Sequence, residues 1–157
     1  MATEYVVDDI DKKILDVLQE NGRITNLHLS NLIGLSPAPT LERVRKLEKA
    51  KVLKSYHALV DATKLGYDLN VIIQVTLSRQ IDNAMQKFTS QIQKIDEIIE
   101  CVQVTGDYDY LLRVIVKDVR GLDELINHKL SKIEVIGQLK SNVILSTIKS
   151  SKKIPLH

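Results

Sequence analysis

The chain has 157 residues, 22 basic against 20 acidic, with four histidines and one cysteine. At 44% hydrophobic and 27% charged it has the composition of a folded chain rather than a disordered one. The lone cysteine excludes an internal disulfide and an all-cysteine metal site. No apolar run reaches membrane-crossing length and the first eleven residues lack the apolar core of a signal peptide, so a reducing cytoplasm and no membrane partner are expected.

In chain order, Asp8 or Asp9 can cap a helix running to about Glu20, with Ile10, Ile14, Val17 and Leu18 as its core stripe. Asn21-Gly22 ends it, Gly22 being expected in the left-handed conformation that helix stops favour. Thr25 or Asn26 caps a second helix whose Leu29, Leu32 and Ile33 point inward, and Gly34 closes it. Ser36 then starts a third helix, with Pro37 and Pro39 in its first turn. Leu41, Val44 and Leu47 recur at a three-residue step as its buried face, while Thr40, Arg43 and Lys46 fall together on another.

Charge singles out this third helix. Residues 36–54 hold six cations (Arg43, Arg45, Lys46, Lys49, Lys51, Lys54) and two anions (Glu42, Glu48), or +4. With +2 overall, the rest of the chain carries −2. A basic patch on a near-neutral body is the footprint of a nucleic-acid site. Two short helices joined through a glycine turn, the second of them basic, form a helix-turn-helix whose partner is double-stranded DNA. The two prolines remove backbone donors that would bind phosphate, so side chains are expected to hold the DNA: Ser36, Thr40, Arg43 and Lys46. Arg43 is the expected bidentate guanine contact, and Arg45, Lys49 and Lys51 the phosphate contacts.

The runs DDIDKKILDVLQENGR and GLSPAPTLERVRKLEKAKVLKSY resemble, without gaps, the DNA-binding half of the Lrp/AsnC (leucine-responsive/asparagine, feast/famine) transcription regulators. The resemblance implies that the third helix is the DNA reader, its start (Ser36, Pro37, Ala38) included. It also implies that Ser55–Asp61, a weakly alternating strand, pairs with its equivalent across a dimer. The alternative is a wing packed on its own helices.

After a connector around Gly66 the periodicity changes. Val71, Ile72, Val75 and Leu77 mark a strand; Asp82–Gln93 a helix with Met85, Phe88 and Ile92 inward; Ile98–Thr105 and Tyr110–Val116 two strands around a Gly106–Asp109 turn. Val119–Lys132 is a helix with Leu122, Leu125, Ile126 and Leu130 inward, and Val143–Ile148 the last strand. The order β-α-β-β-α-β is the ferredoxin-like split unit, and it too resembles the family's regulatory (RAM-type) domain. Helices on one face leave the other bare, and Val71, Ile73, Val75 and Leu77 are expected to make that bare face partly apolar. A second copy should cover it, giving a homodimer with two readers about one helical turn, ~34 Å, apart on DNA.

The hairpin tip VTGDYDYLL (Val104–Leu112) places Asp107 and Asp109 two residues apart beside Gly106, a mixture of acceptors and backbone donors that suits a free amino acid. Ordinary turn chemistry is the alternative, and two carboxylates without a third ligand make a poor metal site. The resemblance implies an amino-acid effector site between dimers, formed by Gly106, Asp107, Tyr108, Asp109 and Leu111 with a partner's Gln138, Leu139 and Ser141, and assembly of dimers to an octamer. Many relatives carry Pro-Gly-Val before the last strand and then two threonines; this chain has Glu134-Val135-Ile136, then Leu139 and Ser141. Leucine or another apolar amino acid is the effector that pocket would take.

The expected architecture is therefore α+β. A winged helix-turn-helix (1–54), a hinge strand and linker (55–69), a ferredoxin-like βαββαβ effector and dimerisation domain (70–150) and a tail (151–157) follow one another. The leading reading is a non-enzymatic, amino-acid-responsive transcription regulator. One alternative is an effector-free protein that wraps DNA. The other is a haem-pathway decarboxylase of similar fold, for which scattered His28, His57, His128 and His157 offer no acid–base or haem motif. Cys101, in an apolar strand, is expected in the core.

Overall fold

The computed structural model of the chain describes residues 5–78 and 81–156. They form two compact units, one from residues up to 59 together with those from 149 onward, the other from 60 to 148.

The first unit holds α1 (Asp9–Glu20), α2 (Asn26–Ile33) and α3 (Pro37–Lys49). Asp8 caps α1 reciprocally: its carboxylate accepts from Asp11 N–H at 2.8 Å, and the Asp11 carboxylate accepts from Asp8 N–H at 3.3 Å. Asp8 titrates below its ordinary value because of that backbone bond first and Arg43 second. The cap is therefore intact above the usual pKa of 3.8 and is lost as pH falls through the lower folded value. Ile14, Leu15, Leu18, Leu29 and Leu47 form the core, with Ile10, Val17, Ile33 and Val44 partly buried against it. Thr25 caps α2 through His28 N–H, and Gly34 ends it in the left-handed region at φ 74°. Leu32 does not point inward; Ser30 takes the buried place, its hydroxyl donating to Leu27 O. Gly22 is not left-handed either. A side chain there would meet the Tyr56 ring at 3.3 Å, so the glycine makes room for packing.

Ser55–Asp61 runs without strand pairing. A lone extended segment has no ladder to join, and Leu59 and Val60 stand in solvent. Tyr56 anchors its start by donating to the Glu48 carboxylate at 3.0 Å; burial and Glu48 push its hydroxyl up to about 12.

The second unit is a four-stranded antiparallel sheet in the order β2-β3-β1-β4, with β1 (Leu69–Leu77), β2 (Ile98–Gln103), β3 (Tyr110–Val116) and β4 (Ile136–Val143). Against it pack α4 (Ala84–Ile92) and α5 (Val119–Glu124), which continues through a π turn (Leu125–Lys129) and a 3-10 turn (Leu130–Lys132). Phe88, Ile92, Leu125 and Leu130 meet Val71, Ile73, Val75, Leu112 and Val114, all buried. Met85 is exposed rather than inward, and so is Cys101, which lies on edge strand β2.

Two expectations change here. The last strand is Ile136–Val143, not 143–148; beyond it Ile144 N–H still bonds Asn70 O, but Leu145 and Ile148 are 95% and 94% exposed. Strand pairing selected the polar GQLKSN stretch because β4 is an edge strand, where alternation can be mostly solvent-facing. Second, Val71, Ile73 and Val75 face the helices, not the open side. The open face carries Ile72, Gln74 and Thr76 from β1, with Val102–Leu111–Gln74–Lys140 and Glu100–Arg113–Ile72–Asn142 as cross-strand rows. No helix among the described residues is long and apolar enough to cross a membrane.

Candidate nucleic-acid interface and ligand depression

Helix α3 is rotated about one residue from the face its hydrophobics suggest. Its inner side is Thr40, Arg43, Val44 and Leu47, at the i, i+3, i+4, i+7 spacing of one helix face. Thr40 is fully buried and its hydroxyl donates to Ser36 O at 2.9 Å, so it cannot read DNA. Leu41, expected inside, is 39% exposed.

Arg43 lies on the inner side of α3, paired with the start of α1. Its Nη1 donates to Asp8 Oδ2 at 2.7 Å and to Asp11 Oδ1 at 2.9 Å. The Asp11 side chain is 2% exposed and also accepts from the Tyr5 hydroxyl at 2.8 Å. Burial, then the bond to Asp11, pushes the Tyr5 hydroxyl up and keeps it a donor; the two carboxylates raise the Arg43 guanidinium further. This network ties the reader helix to the cap of α1. Sequence reasoning saw a cation; the capping box at Asp8 and Asp11 was the signal that two carboxylates lay waiting for one.

Opposite that inner face, helical geometry places Ala38, Glu42, Arg45 and Lys49 outward, with Lys46 on the flank and Ser36 and Pro37 at the exposed start. Ser36 has the backbone of an N-cap but its side chain makes no capping bond. Pro39 removes the N–H of the third helical position, and the hydroxyl does not take the remaining donor, Ala38 N–H. The Ser36 hydroxyl is thereby left for an outside acceptor. Asn26 Nδ2 donates to Pro37 O at 2.8 Å and holds the start of α3 against α2.

At the hairpin tip, Gly106 adopts φ 123°, which only glycine takes without strain. Asp107, Tyr108 and Gln138 line a depression of about 360 Å³ together with Gln74, Thr76 and Lys140. It offers a carboxylate, an ammonium, two amides and two hydroxyls, the groups that hold a zwitterion. Gln74 and Thr76 reach this face because Val71, Ile73 and Val75 go inward and β1 alternates; Lys140 reaches it because β4 lies at Ile136–Val143 and pairs Lys140 with Gln74. Leu111, paired with Gln74, lies beside the depression on the same open face.

Asp109 stands apart from this lining. Asp109 is spent on the backbone: its Oδ2 accepts from Leu77 N–H at 2.7 Å, its N–H donates to Val75 O and its O accepts from Val104 N–H. It pins the hairpin to the end of β1. Leu139 and Ser141 pair with Val75 and Ile73, and so share the helix-covered side of the sheet. Among the described residues no three His, Cys, Asp or Glu side chains converge as a metal site would.

Residues 70–154 match the Lrp/AsnC ligand-binding domain and residues 7–54 the winged helix-turn-helix DNA-binding model. The chain is 38% identical over 148 residues to the leucine-responsive regulatory protein of Klebsiella pneumoniae, covering 94% of this chain and 90% of that one. A transcriptional regulator of Neisseria meningitidis, crystallised with L-methionine, superposes with a TM-score of 0.92 at 33% identity, over 96% of this chain and 97% of that one. The feast or famine regulatory protein of M. tuberculosis, in complex with L-methionine, gives 0.85 at 28% identity over 95% and 99%.

Proposed function

The chain belongs to the Lrp/AsnC family of DNA-binding transcriptional regulators, and from that premise we propose that it reads DNA as a homodimer through the outward face of α3, under the control of an amino acid held at the hairpin depression. The observation that carries the reading is the division of α3 into two faces. Thr40, Arg43 and Leu47 are committed to the protein, which leaves Ala38, Arg45 and Lys49 facing out with Lys46 and the uncapped Ser36 hydroxyl beside them. Arg45 takes the base-reading role first expected of Arg43; Lys46 and Lys49 meet phosphates. In a fluorescence anisotropy titration at physiological salt, the full chain binds DNA from its own upstream region at least ~10³-fold more tightly than random duplex. Equal affinity for both contradicts the reading.

The dimer follows from the open sheet face. Ile72, Leu111, Ile115 and Val102 lie on it with no covering element from this chain's helices, and the same face of a second copy covers them. Ser55–Asp61 gains a strand partner in that assembly, which extends from dimers to octamers. The site of action is the cytoplasm.

For the ligand, two solved relatives hold L-methionine, and the depression here supplies Asp107 for an ammonium and Lys140 with Gln74 and Gln138 for a carboxylate. Leu139 of this chain points to the other side of the sheet and does not narrow the depression, so the effector-free DNA-wrapping alternative rests on the missing threonine and Pro-Gly-Val. Calorimetry with L-methionine and L-leucine is expected to give a saturable isotherm that Asp107→Ala weakens at least tenfold. Flat titrations across the common amino acids favour the effector-free protein instead. Regulation, not catalysis, is the activity proposed.

A further inference from the structure

The chain leaves the first unit near residue 59 and returns to it near 149, so the second unit is flanked in sequence on both sides by the first. The return segment is held by specific bonds. The Gln19 side-chain amide pairs with both backbone groups of Ile154: Oε1 accepts its N–H at 2.6 Å, and Nε2 donates to its carbonyl at 3.1 Å. Lys153 Nζ lies 2.8 Å from Asp16 Oδ1 and 2.5 Å from Glu20 Oε1. Leu156 packs on the core cluster of Ile14 and Leu18. These contacts repair a defect of α1, which carries Glu20 and no cation in its last turn, where the helix end is already partly negative. Lys153 supplies the missing charge, and Asp16 and Glu20 in turn raise its pKa. Asp16, Gln19 and Glu20 lie at i, i+3 and i+4 of one helix side, a surface fitted to an extended cationic segment.

We propose that the Asp16–Gln19–Glu20 face of α1 is the docking surface for the chain's own residues 151–156, and that this strap couples the DNA reader to strand β4 of the ligand-binding domain. Only residues 145–150 separate the last backbone bond of the sheet, Ile144 to Asn70, from the first bond within the docked tail, Ser151 to Lys153. So short a tether limits how far the docked tail and β4 can separate, and it transmits displacement of β4, whose Gln138 and Lys140 line the ligand depression. Linkage makes the coupling reciprocal: whatever DNA does to α1 is felt at β4.

The inference rests on the DNA-binding reading, so the test reports both. Hydrogen exchange is measured on the full chain with and without saturating operator DNA, with anisotropy on the same samples showing that DNA is bound. In the native chain, DNA changes amide protection at Ile136–Val143. Lys153→Glu removes that change and speeds exchange at residues 16–20 without altering the calorimetric unfolding of the second unit. Adding Asp16→Lys and Glu20→Lys to Lys153→Glu reverses both charges and restores it. The proposal is overturned if β4 responds to bound DNA equally in the native and Lys153→Glu chains, if it responds in neither, or if the charge swap fails to rescue. Loss of anisotropy in the native chain would instead indict the DNA reading.

Discussion

Arg43→Ala is expected to lower the stability of the first unit by about 2–4 kcal/mol, while leaving the ratio of operator to random-DNA affinity unchanged in the protein that remains folded. Truncation strands the Asp11 carboxylate, 2% exposed, with only the Tyr5 hydroxyl and the Asp8 amide as partners. Breaking a buried pair from one side costs more than the pair contributes, because the remaining charge stays out of water. The lower part of the usual range applies since the guanidinium is 29% exposed and partly hydrated. Against a total stability of roughly 5–15 kcal/mol this is a large fraction. Thermal unfolding followed by circular dichroism measures the loss. Asp11→Asn in the Arg43→Ala background should recover part of it, because a neutral amide carries no stranded charge. A native-like melting curve for Arg43→Ala with selective loss on operator DNA would return Arg43 to the reading face.

Ile72→Lys is expected to convert the dimer to monomers at micromolar concentration, and with that to weaken operator binding by about 10²–10⁴-fold, the advantage that joining two readers confers. Ile72 sits at the middle of β1 on the open face, between Arg113 and Asn142. In a self-complementary interface its replacement buries two like charges near two arginines. The monomer should fold, because Ile72 points away from the helix-covered core formed by Val71 and Ile73. Light scattering gives the mass and circular dichroism the fold. A dimer that persists in the Ile72→Lys chain would move the interface elsewhere.

These two residues also show where sequence legibility ended. Element types and order were readable because the periodicities are strong: β3 lies at Tyr110–Val116 as expected, and α1 stops at Glu20. Faces were less readable. Hydrophobicity assigned Leu41 inward and Thr40 outward, yet a threonine inside a helix can satisfy its hydroxyl on the carbonyl four residues back, and Ser36 provides it. An arginine can sit on an inner face if carboxylates meet it, and those came from a helix thirty residues earlier. Hydrophobicity registers neither: the first is a local bond that hides a hydroxyl, and the second depends on a capping box in another helix.

The last strand failed for a different reason. Val143–Ile148 has the richer β-composition, but β1 selects partners by register, and the chosen GQLKSN segment shows polar residues on both faces of an edge. At the hairpin depression, Asp107 and Tyr108 belong to the hairpin motif and Gln138 to the family likeness, whereas Gln74 and Thr76 depend on the face of β1 and Lys140 on the position of β4. Asp109 looked like a ligand group because Gly-Asp-Tyr-Asp presents two carboxylates; the bond to Leu77 N–H shows one of them to be structural.

The most direct test of the account is the specificity of the Arg45→Ala chain, measured by anisotropy on operator and random duplex at one salt concentration. The account predicts a loss of ~1–3 kcal/mol on operator DNA and a much smaller loss on random DNA, so that the specificity ratio falls. Equal losses on both, with the ratio intact, would contradict a reading face built on the outward side of α3.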